Sequence, residues 1–245
     1  MTDPHIVIDE ITKSYGETTV IAPTSLRIDR GEFVSVLGPS GSGKSTILNM
    51  IAGLSFPTSG ALFARGEKIT GPGPDRGMVF QHHALLPWMT ARGNIEFGLQ
   101  SARPELDKDA RRARAEEYLG YVGLTHAADR RPARLSGGMQ QRVGLARSFA
   151  IDPDILLLDE PFGALDALTR RQLQLLLLEI WEANRRTVVM VTHDVDEAIL
   201  LSDRIVVMSA GPEATIIEDL AVEMARPREG RGADELRTHL LGLLS

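Results

Sequence analysis

The tightest constraint on this chain lies where an apolar run, residues 33–37, meets Gly38-Pro39-Ser40-Gly41-Ser42-Gly43-Lys44-Ser45, and a helical pattern follows over residues 45–54 and stops near Gly53. Two glycines separated by four residues, then lysine and a hydroxyl, set between a strand and a helix, have the pattern of a phosphate-binding loop. Small side chains let successive backbone N–H groups curl around phosphate oxygens, and the helix behind them presents its positive end. In such a loop Lys44 reaches the outer phosphates and Ser45 can ligate Mg²⁺. A flexible Gly/Ser turn would need neither flank. The loop does not choose a reaction, because kinases, GTPases and motor ATPases all use it.

The rest of the chain fits around that unit. Apolar runs at residues 78–80, 155–158, 188–191 and 205–208, separated by helical stretches, argue for an α/β fold with a mainly parallel sheet. Residues 5–11, 18–28 and 61–69 read as strands joined by turns, hence a small N-terminal antiparallel sheet. Residues 104–152 turn helical, and the mixed charges of 111–117 read as a solvated helix face. Leu165, Leu168, Leu173, Leu176, Leu177, Ile180 and Trp181 recur at helical spacing, as expected of a helix covering the sheet. Residues 226–232, rich in Arg, Gly and Pro, form a loop before a short amphipathic helix ending at Ser245.

Composition removes several classes of function. The formal net charge of -6 argues against gripping a phosphate backbone. The absence of cysteine leaves no disulfide framework and no thiolate metal site, which suits a reducing compartment such as the cytosol. Residues 1–12 lack the basic and apolar regions of a secretory signal. The longest strongly apolar runs, residues 155–158 and 175–178, fall far short of the roughly 20 residues of a membrane-spanning helix. A membrane role would have to come through a partner.

A second chemical element stands at the end of the apolar strand Ile155-Leu156-Leu157-Leu158-Asp159-Glu160. Consecutive strand residues point in different directions, so the two carboxylates can hold separate roles. Asp159 is placed to orient Mg²⁺ through its water shell, and Glu160 to polarise the water that attacks a γ-phosphate. That pairing favours hydrolysis over transfer to another acceptor. Alone, both carboxylates could also be capping or salt-bridge groups at a strand end.

Leu135-Ser136-Gly137-Gly138-Met139-Gln140-Gln141-Arg142 decides the family, because it closely resembles the signature sequence of ATP-binding-cassette ATPases. Ser136 can cap a helix whose exposed N–H groups, beside Gly137 and Gly138, make a second anion site. The resemblance covers about residues 5–208 and implies a P-loop ATPase core, an N-terminal antiparallel β subdomain and a helical subdomain bearing the signature. It also implies that residues 38–45, with Thr46, bind ATP, and that Ser136, Gly137 and Gly138 cover ATP held by a second ATPase subunit, in a head-to-tail pair. Further motifs fall in the family's order: Gln81 after a strand, Ala164-Leu165-Asp166 after Glu160, and Val191-Thr192-His193 at another strand end. By resemblance Gln81 contacts Mg²⁺ and water, Asp166 links the subunits, His193 holds the γ-phosphate, and Tyr15 stacks on adenine. Taken singly, Gln81 could bond backbone, His193 could be structural and Tyr15 a turn residue. His82 and His83 are expected to bind no metal, since adjacent strand residues face opposite ways.

Spacer sequences resemble one branch. Ala84-Leu85-Leu86-Pro87-Trp88-Met89-Thr90 and the stretch from Asp159 to Arg170 look like the nitrate, sulfonate and taurine importer group, as do bicarbonate, phthalate and thiamine-precursor importers. The implied partners are integral-membrane permease subunits, a second ATPase subunit making a homodimer, and a periplasmic or extracellular solute-binding protein, with the chain peripheral on the cytoplasmic face of the membrane. Residues 85–89 lie where relatives receive a short permease helix, and Trp88 either lines that groove or packs in the core. Gly93 before Asn94 departs from relatives that carry Asp there. The expected organisation is one ATPase domain over residues 1–245, with a helical subdomain at about 86–152 and a tail at about 226–245. A soluble cassette ATPase acting on nucleic acid or ribosomes is the rival reading, disfavoured by the single cassette and acidic balance. A small-molecule kinase would not explain residues 135–142 or His193.

Overall fold

The computed structural model describes residues 4–81, 84–163, 165–226, 228 and 230–244. His82, His83 and Ala164, singled out above, lie outside the described residues, as does Ser245. In chain order the strands are β1 (Ile6–Tyr15), β2 (Thr18–Ile28), β3 (Phe33–Leu37), β4 (Ser59–Ala64), β5 (Glu67–Lys68), β6 (Arg76–Val79), β7 (Ile155–Asp159), β8 (Thr187–Thr192), β9 (Arg204–Met208) and β10 (Ile216–Ala221). The α-helices are α1 (Lys44–Ile51), α2 (Ala91–Ala102), α3 (Lys108–Tyr121), α4 (Gly137–Ala150), α5 (Ala167–Asn184), α6 (Val195–Leu201) and α7 (Arg231–Leu244). They group into two compact units, one of residues 1–73 with 185–245 and the other of residues 74–184.

In the first unit β3 lies between β8 and β9, parallel to both, and β10 pairs antiparallel with β9. Every residue of β3 and β8 is buried, as expected of parallel strands covered on both faces, which explains their near-continuous apolar runs, interrupted in β3 by Ser35. A separate antiparallel sheet has the order β2-β1-β4-β5. Here the expected single strand over residues 61–69 is divided: Arg65 and Gly66 both adopt left-handed backbone, turning β4 back onto β5. β10 was not foreseen. It alternates half-buried and exposed residues as an edge strand does, without the continuous burial that marks β3.

The C-terminal helix α7 buries Ala233 and Leu240 in a cluster with Val195, Ala198 and Ile199 of α6 and with Leu37, Ile205 and Val207. Arg228, 7% exposed, donates to the carbonyls of Ile199 (2.8 Å), Ser202 and Met224 (3.2 Å) and faces Asp203. Burial lowers its pKa to about 10. The guanidinium therefore ties the segment before α7 to the end of α6.

In the second unit β6 and β7 pair in parallel, and α2, α3 and α4 enclose a core that includes Ile95, Leu99, Leu119, Val143 and Ala146. Capping is set by sequence: Thr90 accepts from Gly93 N, Asp107 from Ala110 N and Ser136 from Met139 N. The charged face of α3 is solvated as expected, with Arg112 pairing Glu116. α5 buries Leu173, Leu177, Leu178 and Trp181. Leu168 is 71% exposed, so it does not belong to the packed face on which its spacing placed it.

Candidate functional site

The phosphate loop closes β3 and opens α1. Gly41 and Gly43 have φ of 84° and 81°, a left-handed region that disfavours side-chain-bearing residues. No side chain caps α1 and no acidic residue occupies its first turn, so its N-terminus keeps its positive character for an anion. A Cβ added to Gly41 would meet nothing within 4 Å, whereas at Gly38 it would fall 2.9 Å from Ser42 Oγ and 3.0 Å from the Met208 carbonyl. The loop is thus tight at its root and open at its mouth.

Lys44 is 5% exposed; its Nζ donates to the carbonyls of Gly38 and Pro39, both at 2.8 Å, and to Ser42 Oγ at 3.3 Å. These bonds fold the ammonium against the loop whose phosphates it is expected to meet. Pro39, Ser40, Ser45 and Thr46 complete the same segment.

At the end of β8 in the same unit, Thr192 is buried and His193 exposed. Thr192 Oγ1 donates to the buried carboxylate of Glu197 at 2.9 Å and accepts from Asp194 N at 3.0 Å. Asp194 caps α6 by accepting from Asp196 N and Glu197 N. The turn carrying His193 is therefore fixed on both sides while its imidazole faces outward. Tyr15, at the end of β1, is 57% exposed with Lys13 Nζ 4.9 Å from its ring centroid.

The second unit holds the acidic turn. Asp159 ends β7 at 8% exposure, and Glu160 is half-buried with φ 43°. A non-glycine residue at positive φ persists only where its surroundings dictate it, and such residues gather at functional turns. Gln81 Nε2 donates to Glu160 Oε2 at 3.1 Å, so two of the proposed groups are brought together. Asp166 Oδ1 accepts from Thr169 N at 3.0 Å in the first turn of α5, and this bond lowers its pKa. Among the described residues no three His, Asp or Glu side chains converge on a metal position. A Mg²⁺ ion fits such a surrounding if hydroxyl, water and phosphate oxygens make up most of its shell.

Ser136 caps α4, putting Gly137 and Gly138 at its first turn; a Cβ on Gly138 would stand 3.2 Å from Leu165 Cδ2. Gln141, absent from the sequence-derived set, is 2% exposed and donates to the Pro161 carbonyl at 2.7 Å. Asn94 was missed too. Fully buried, it accepts from Leu86 N at 2.7 Å and donates to the carbonyls of Leu86 and Thr90, fixing the loop over residues 86–90. Arg147 donates to the Ala84 carbonyl at 2.9 Å. All three bond backbone far away in sequence or across a loop, a pattern without a sequence signal. Trp88 is 65% exposed, which rules out core packing, and beside it Met89, Glu96, Phe97, Lys108 and Arg111 line a depression of about 400 Å³.

The family model for ABC transporter matches residues 21–163. The nitrate import ATP-binding protein NrtD of Synechococcus elongatus is 49% identical over 235 residues, covering 94% of this chain and 86% of that protein. The bicarbonate transport ATP-binding protein CmpD of Synechocystis sp. is 47% identical over 232 residues, covering 93% and 82%. Among solved structures, a dimeric post-hydrolysis state of the ATP-binding cassette MJ0796 with ADP and phosphate aligns at TM-score 0.81 with 36% identity, over 90% of this chain and all of that one. The chain belongs to the ABC transporter family, with the P-loop ATPase fold of its cassettes.

Proposed function

We propose that this chain is the ATP-hydrolysing subunit of an importer for a small anionic solute of the nitrate, bicarbonate or sulfonate kind. The acidic turn carries the hydrolytic reading: Glu160, at positive φ and held by Gln81, leaves the strand end beside buried Asp159. The import reading is supported by the high identity to nitrate and bicarbonate import subunits across nearly the whole chain. The chain works as one ATPase domain over residues 1–245.

In this reading backbone N–H groups of residues 38–46 and Lys44 bind the ATP phosphates, Tyr15 stacks on adenine and His193 donates to the γ-phosphate. Ser45, Gln81 and Asp159 would hold Mg²⁺, which when bound neutralises charge on the β- and γ-phosphates. Glu160 takes a proton from water as its oxygen bonds the γ-phosphorus; the bond to the bridging oxygen breaks and ADP leaves with that electron pair. Ser136, Gly137 and Gly138 complete the phosphate shell of a second copy, and Asp166 links the pair. ATP closes the pair and hydrolysis reopens it, which drives the permease through the groove at residues 85–89.

Among the described residues no helix is long and apolar enough to cross a membrane. In this reading the chain attaches to the cytoplasmic face through permease subunits, which in turn meet a solute-binding protein outside, as the likeness to import ATP-binding proteins supports. Purification of the tagged chain from detergent-solubilised native membranes, with mass spectrometry of what accompanies it, tests the reading. An integral-membrane permease in roughly equal amount is expected; ribosomes or nucleic acid in its place would overturn it.

A further inference from the structure

Adjacent glutamines at the start of α4 hold two different segments. Gln140 donates to the carbonyls of Pro132 (3.1 Å) and Leu135 (3.2 Å), fastening the chain that enters the helix. Gln141, about 100° further round the helix, reaches the Pro161 carbonyl at 2.7 Å. That carbonyl stands one residue beyond Glu160. The turn it belongs to is closed by Gly163 N on the Glu160 carbonyl (3.2 Å) and Leu165 N on the Phe162 carbonyl (3.2 Å), and Phe162 is fully buried. Leu165 also packs close to the start of α4, its Cδ2 3.2 Å from where a Cβ on Gly138 would stand.

The left-handed backbone of Glu160 needs such support, and the following proline narrows its choices further. Gln81 steadies the carboxylate from one end and Gln141 the backbone from the other. We infer that Gln141 is a positioning residue for Glu160: it makes the first turns of α4 and the acidic turn one rigid piece, so that a phosphate meeting residues 136–138 of a chain sets the Glu160 geometry of that same chain. This rests on the assignment of Glu160 as the base and of residues 136–138 as contacts to the second copy's ATP. The consequence is that each copy hydrolyses its own ATP in response to its partner's, and Gln141 carries the message.

The test uses the full chain as Gln141→Leu, Gln141→Glu and Glu160→Gln, with phosphate release measured against ATP concentration and binding followed with a fluorescent ATP analogue. Gln141→Leu keeps the volume and removes the donor. It is expected to lower kcat about tenfold or more with KM and nucleotide affinity unchanged, since small misplacement of a reacting group costs rate and not binding. Its Hill coefficient should fall toward one. Gln141→Glu places a carboxyl whose burial raises its pKa; protonated, it donates to Pro161 again. Its kcat relative to wild type should therefore rise as pH falls from about 8 to about 6 while its folded fraction, followed by circular dichroism, stays constant; this profile decides the matter if the leucine variant fails to fold, and a rise that only tracks the folded fraction would overturn the positioning role. Wild-type kcat and cooperativity in a folded Gln141→Leu, beside an inactive Glu160→Gln, would overturn the positioning role alone. Undiminished turnover in Glu160→Gln would remove the base assignment and the positioning role with it.

Discussion

Gln81 Nε2 donates to Glu160 Oε2 at 3.1 Å, which joins the second residue after β6 to the residue after β7. The bond needs an acceptor on Glu160 and not a charge. Glu160→Gln keeps an amide oxygen for Gln81, so the turn should survive while basicity is lost. Turnover is expected to fall by about 10²–10⁴-fold, with binding of a fluorescent ATP analogue retained. Equal loss of both would show that the carboxylate serves binding.

Gly41 offers a clean probe of the loop. An alanine there strains the left-handed backbone by about 1–2 kcal/mol but strikes no neighbouring atom, so the methyl group projects into the open mouth. Gly41→Ala should fold, with a slightly lower denaturation midpoint, and lose most of its affinity for ATP. Lys44→Ala should lose affinity as well, since it removes the cation held against the Gly38 and Pro39 carbonyls. Titration with the same analogue checks both.

Asn94 bonds Leu86 through both its carbonyl oxygen and its amide nitrogen while fully buried. Asn94→Ala would leave the half-buried Leu86 N–H without that acceptor, at a cost of about 0.5–1.5 kcal/mol. Urea denaturation should show the loss, and proteolysis should shift toward residues 86–90. Gly93 N donates to Thr90 Oγ1 at 3.0 Å, so α2 needs no acidic residue at that position to be capped.

Asp166 supplies the pH dependence. Its pKa is lowered chiefly because the carboxylate accepts the Thr169 N–H, so the folded chain holds the charged form more strongly than the unfolded chain does. The sign follows: this contribution is present above the ordinary aspartate range and is lost as pH falls through the lowered folded value. Asp166→Ala should therefore reduce stability at neutral pH and make almost no difference in strong acid. Thermal melts of both proteins from pH 7 to pH 3 would show the two converging; a constant gap would contradict the assignment.

Much of this molecule could be read from residues because its chemistry is local. The loop over residues 38–46, the strand ending in Asp159 and Glu160, and the capped start of α4 each consist of neighbours in sequence. The structure departs from these expectations where the signal in the chain is long-range or atypical. The turn between β4 and β5 uses Arg65 and Gly66 at positive φ where Asn-Gly would have announced it, so two strands looked like one. β10 is a half-exposed edge whose alternation is weak in Ile216-Ile217-Glu218-Asp219. Gln141 and Asn94 look like ordinary polar residues on helices, and only the carbonyls they meet reveal their use.

The packing of α7 reaches further than its own stability. Its apolar side is set against α6, Arg237 pairs with Asp196 at 2.6 Å, and Arg228 grips the far end of α6 at Ile199. Asp194, which begins α6, follows His193 directly. A protein fused behind α7 would thus be attached to the same packed piece of the fold that carries that histidine.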